Sequence, residues 1–124
     1  GDSSEAVIFF DSPGGNLRAG IEIGTRIRLR GYTTAIAPGT LCASACALAW
    51  LGGKQRHLDQ SSVIGFHAAY RTDGGKALES GLANALVGAY ANRIGLTDNA
   101  IIFMTSAPPD GMNWLTIDNG RSLG

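Results

Sequence analysis

At 124 residues the chain suits one small domain with a buried core. A hydrophobic share of 44% against 16% charged residues excludes a disordered chain. Ten basic residues cancel ten acidic ones with no charge run or basic stripe, which speaks against nucleic acid as a partner, and no apolar run reaches the length of a membrane span.

In chain order, "AVIFF" (6–10) is a continuous apolar run bounded by turn residues and reads as a buried parallel strand. "DSPGGN" turns the chain into "LRAGIEIGTRIRLR", a helix with Leu17, Ile21 and Ile27 near one face and Gly31 placed to end it. "TTAIA" (33–37) is the next strand, β-branched and apolar. After "PGT", the small residues of "TLCASACALAW" (40–50) predict a helix packed closely on the sheet and closed by "LGG". "QRHLD" and "SSVIGFHA" give two short strands or a strand and a bulge, and "YRTDGGK" an exposed loop. "ALESGLANALVGAYANRI" has the longest helix pattern, ended by Gly95. A further helix starts near Thr97, and "WLTIDNGRSLG" reads as a turn and a short helix capped by Thr116. Strands alternating with helices imply βαβ units, an α/β fold and a mainly parallel sheet, with ligands where strand ends meet helix starts. "FFDSPGGN" and "IAPGTLCASA" both have that layout.

The glycines of "SPGG" let the backbone turn tightly and aim N–H groups outward, toward a phosphate, a developing oxyanion or, in an ordinary turn, nothing in particular. No Gly-Lys-Ser/Thr follows, so this is not a P-loop. Ser44 lies near a helix start, where the dipole favours an oxyanion and the Ala45 N–H is free to donate. A serine nucleophile needs a general base, and the chain has two histidines. His67 follows the apolar "VIGF"; His57 sits among polar residues and faces solvent. Alone, a histidine on an apolar strand is more often a core residue than a base.

Cys42 and Cys46, spaced i and i+4, share a face if the segment is helical throughout, with Cα atoms about 6 Å apart. That is disulfide range with poorly aimed side chains, so small buried hydrophobes are the expectation and a helix-start cross-link in an oxidising compartment the alternative. A zinc set of Cys42, Cys46, His57 and His67 lacks finger or ribbon spacing, and no metal or cofactor is expected.

Together, "FFDSPGGNLRAGIEIG", "TAIAPGTLCASACALAWLGG", "RHLDQSSVIGFH" and "WLTIDNGRSLG" resemble, in order and over nearly the whole chain, the proteolytic subunit of the Clp protease and its relatives in the Clp/crotonase superfamily. The resemblance implies repeated ββα/βαβ units in a single domain over 1–124, trimmed at its N-terminus. It implies a serine peptidase acting on peptide or protein substrates as a homo-oligomer. Ser44 is then the nucleophile and His67 the general base, with the Ala45 N–H and a glycine N–H of the loop, Gly15 ahead of Gly14, as the oxyanion hole.

Three features depart from the family pattern. Cysteines flank the serine, and the stretch between His67 and Gly95 is shorter than the family's helical handle, so neither a closed double ring nor an ATPase partner is implied. The acidic triad member has no clean counterpart; Asp110 is the carboxylate of that loop, and a Ser–His dyad is the alternative. A catalytically silent scaffold and a crotonase-like acyl-thioester enzyme are the competing functions. Membrane association and location stay open between the bacterial cytoplasm and, if a signal or anchor was cut away, the periplasm or a membrane.

Overall fold

Alternation of apolar strands with helices produces the expected layering in the computed structural model, which describes residues 6–67, 70–73, 76–108, 111–117 and 119–120. The chain divides into two units, Gly1–Ile64 and Gly65–Gly124.

In the first unit, β1 (Val7–Phe9), β2 (Thr33–Ile36) and β4 (Arg56–Leu58) form a parallel sheet in the order β1-β2-β4. α1 (Leu17–Arg30) is the first crossover, started by Asn16, whose side-chain oxygen accepts the Ala19 N–H at 3.0 Å. Gly31 ends it in the left-handed conformation at φ 69, as its position in the sequence predicts.

The segment 40–50 is not one helix. Leu41–Ala43 is a strand, β3, and α2 (Ala45–Leu51) begins only after Ser44. The cause is a non-local pairing: the Ser12 N–H donates to the Leu41 carbonyl (2.7 Å) and the Ala43 N–H to the Ser12 carbonyl (3.1 Å), drawing 41–43 into extended backbone beside the loop after β1. Small residues that suit a helix carry no trace of a partner thirty positions away.

All of α2 is buried, and its close fit to α1 depends on glycine. A Cβ on Gly20 would lie 2.5 Å from the Ala45 carbonyl oxygen, and one on Gly52 would run into the Gly24 backbone. Trp50 is anchored twice, its indole N–H donating to the His57 carbonyl (3.2 Å) and its own carbonyl accepting from the buried Thr34 hydroxyl (2.6 Å). Burying Leu48, Trp50 and Leu51 contributes roughly 1.5–3 kcal/mol each. The substitution Gly20→Ala should therefore destabilise the chain. Overpacking against backbone costs about 1–3 kcal/mol, against a helix-propensity gain of at most about 1, and a lowered denaturant midpoint at unchanged slope would report it.

The turn leading into β3 is clasped by 59–62. Gly39 N–H donates to Ser61 Oγ (3.0 Å), and the Ser62 hydroxyl to the Ile36 carbonyl (2.9 Å). Asp59 accepts from both the N–H and the hydroxyl of Ser61, which holds its carboxyl below the usual carboxylate range.

β5 (Val63–Phe66) runs across the division between the units. In the second unit β6 (Tyr70–Asp73) and β7 (Lys76–Glu79) pair antiparallel, so the stretch expected as an exposed loop is largely strand and "ALE" belongs to β7. α3 (Gly81–Arg93) starts where Ser80 accepts the Ala83 N–H at 3.1 Å. α4 (Asp98–Thr105) starts at Thr97, which accepts from Ala100 at 3.2 Å. The Phe66 and Phe103 rings meet edge to face at 6.1 Å. β8 (Asn113–Leu115) is tied to α4 by Asn113, whose amide donates to the Phe103 carbonyl at 2.8 Å. Thr116 then accepts the Asn119 N–H at 3.2 Å, the cap expected of it.

Candidate functional site

The helices α1 to α4 each begin at a polar residue, and three of those residues behave as N-caps do. Asn16, Ser80 and Thr97 each accept an N–H from the first turn; Ser44 makes no such bond. Its backbone stands at φ 56 and ψ −120, the one positive φ of a non-glycine residue among those described. For a residue with a Cβ that conformation costs about 1–3 kcal/mol, and strain of this kind clusters at functional sites. The strand–Ser44–helix turn is a sharp elbow that lifts a half-buried serine out of both elements, the arrangement that presents a nucleophile.

The elbow is backed by the loop after β1. Its parallel bridge from Ser12 to Cys42 fixes the loop in register with β3, and the Leu41 N–H donates to the Asp11 carboxylate at 3.3 Å. Gly14, at φ 121, passes directly behind the serine: a Cβ there would sit 3.0 Å from both the Ala43 oxygen and Ser44 Cβ. Only glycine fits this approach and this φ. The Gly14 N–H is turned back to Ser12 Oγ at 3.2 Å. The Gly15 N–H has no partner among the described residues, and the Ala45 N–H likewise precedes the bonding of α2, in which Leu48 donates to the Ser44 carbonyl at 3.2 Å.

The cysteines lie on different elements, not on one helix face: Cys42 on β3 and Cys46 in the first turn of α2, joined by a disulfide with Cα atoms 5.2 Å apart. The sharp turn at Ser44 aims the two side chains together, which a continuous helix would not do. Both are buried, at 0% and 7% exposure, and neither is a free thiol available to a metal or a substrate.

The first unit thus gathers Gly14, Gly15, Ser44 and Ala45 in one place. His67 stands at the C-terminal end of β5, half-buried, in the second unit. His57 faces solvent on β4, as its polar neighbours suggested. Asp110 lies outside the described residues. No cluster of metal-ligating side chains occurs among the described residues. The feature that sequence reasoning missed is the elbow itself, since the signal for it is a pairing between Ser12 and Cys42.

No family model matches the chain, and no curated protein does. Among solved structures it is similar to a serine-to-alanine mutant of the 1510-N membrane-bound stomatin-specific protease, with a TM-score of 0.71 and 21% identity over 95% of this chain and 60% of that one. A lysine-to-alanine mutant of the same protease, in complex with a substrate peptide, gives 0.68 and 22% over 95% and 57%. The fold shared with them is α/β, with a mainly parallel sheet flanked by helices. The chain spans somewhat under two thirds of the length of these neighbours.

Proposed function

We propose that the chain is a serine peptidase of the Clp type, with Ser44 as nucleophile and His67 as general base. The observation that carries this reading is Ser44: a helix-start serine that does not cap its helix and is held at a strained elbow. Its likeness in fold to a protease captured with a substrate peptide supports a peptide as substrate.

In the first step His67 takes the hydroxyl proton as Ser44 Oγ attacks the scissile carbonyl carbon. The carbonyl oxygen becomes an oxyanion, and the N–H groups of Gly15 and Ala45 hold it; the Gly14 N–H is already engaged by Ser12, which favours its neighbour for this role. His67 then gives its proton to the leaving amine, and an acyl-enzyme remains on Ser44. Water, deprotonated by His67, releases the acid product. Asp110 orients the imidazole if the site is a triad, and a backbone carbonyl does so if it is a dyad. The resemblance read in the sequence implies a homo-oligomer, and we assign this chain that state. No cofactor takes part.

Covalent labelling by a fluorophosphonate, mapped by mass spectrometry, tests the assignment: the adduct belongs on Ser44. An intact fold, verified by circular dichroism, that takes no label would overturn it and leave the silent scaffold. The glycine behind the serine offers a subtler check. Gly14→Ala should slow labelling about tenfold to a hundredfold by displacing the elbow, with the circular dichroism spectrum intact.

A further inference from the structure

Peptide hydrolysis through Ser44 makes no use of a disulfide, yet the disulfide closes a ring of five residues with Ser44 at its centre. One arm is the end of β3, the other the start of α2. The ring joins the two segments whose relative direction defines the elbow, and the residue between them holds the strained φ of 56. Other contacts hold those arms too: Gly14 behind the serine, Gly20 against Ala45, and Ser12 paired beside Cys42. Opening the ring therefore leaves the sheet and the α1–α2 contact in place and frees chiefly the turn at Ser44. A strained conformation persists only while its surroundings over-determine it.

We propose that Cys42–Cys46 is a thiol–disulfide exchange site that sets the reactivity of Ser44, closed and pre-organised when oxidised, relaxed when reduced. The inference rests on the reading of Ser44 as the nucleophile. The reductant is a dithiol. One of its thiolates attacks Sγ of Cys46, the less deeply buried partner, forming a mixed disulfide and expelling Cys42 as a thiolate that takes up a proton. The second thiol of the reductant, losing its proton, attacks its own sulfur in that mixed disulfide and releases Cys46, which is protonated in turn. Two electrons and two protons pass to the protein, and the dithiol leaves as its own disulfide. In an oxidising compartment the ring stays closed; where dithiols are abundant it opens.

The test compares fluorophosphonate labelling rates at Ser44 in oxidised protein, in protein reduced with dithiothreitol, and in reduced protein re-oxidised with diamide. Maleimide adducts counted by intact mass report the state of the pair. Reduction is expected to add two adducts, to slow labelling about fivefold and to leave the circular dichroism unchanged, with re-oxidation restoring the rate. The Cys42→Ala/Cys46→Ala double variant should label at the reduced rate and ignore dithiothreitol. A disulfide that only stabilised the fold would shift the melting temperature and leave the labelling rate alone. Equal rates at Ser44 with two adducts verified would overturn the switch and leave the peptidase reading standing. Failure of the pair to close under oxidant, or to open under dithiothreitol, would overturn it as well. No adduct on Ser44 in any state would overturn both.

Discussion

Ser44→Ala is expected to abolish covalent labelling and to lower peptide hydrolysis by about 10⁶ in kcat, close to 8 kcal/mol of transition-state stabilisation, the scale of loss when a Ser–His site loses its nucleophile. The substitution should leave the fold intact. Ser44 makes no capping bond that alanine would forfeit, and its hydroxyl is not a buried group needing a partner. Alanine still bears a Cβ, so the strained φ remains and the melting temperature should move little. This combination separates a nucleophile from a structural serine. At the capping residues Ser80 and Thr97, alanine should cost about 0.5–2 kcal/mol of stability and no reactivity at all. Hydrolysis retained in Ser44→Ala would end the peptidase assignment.

His67→Ala is expected to cost nearly as much, and the double variant with Ser44→Ala no more than either alone. Nucleophile and base act as one unit, so removing the second after the first loses almost nothing further. The two residues belong to different units of the chain, Ser44 following β3 and His67 following β5. The measurement is kcat and KM on a peptide substrate for the four members of the cycle. A fall in kcat at steady KM marks a proton-transfer role, whereas a rise in KM alone would make His67 a substrate contact. Additive losses, or a His67→Ala variant at full rate, would remove His67 as base and turn attention to the amines of Lys54 and Lys76.

Local chemistry made part of this protein readable without a structure. Gly31 ends α1, Thr97 starts α4 and Thr116 caps the last turn because each acts through atoms three or four residues away. The apolar runs at 6–10 and 33–37 became neighbouring parallel strands, but only β2 is buried as a continuous apolar run suggests; β1 leaves Val7 and Phe9 exposed, because it stands at the edge of the β1-β2-β4 order. Where the outcome depended on distant backbone, the reading went astray. Residues 41–43 carry no mark of their partner Ser12, and 70–73 pairs with 76–79 as strands where "YRTDGGK" suggests a loop and "ALE" the start of a helix.

The same division runs through the candidate site. The amino-acid sequence by itself determined the reagents: a serine among small residues, two glycines after a strand, two histidines of which one follows an apolar run, and a pair of cysteines about the serine. It also determined that α1 and α2 could approach closely, since Gly20, Gly24 and Gly52 lack the side chains that would part them. Tertiary structure alone decided that Ser44 stands outside both β3 and α2, that Gly14 lies behind it, and that Cys42 and Cys46 meet. Each of those outcomes follows from the loop after β1 hydrogen-bonding to residues 41–43. Such a bond satisfies backbone groups that every residue carries, so no side-chain pattern records it.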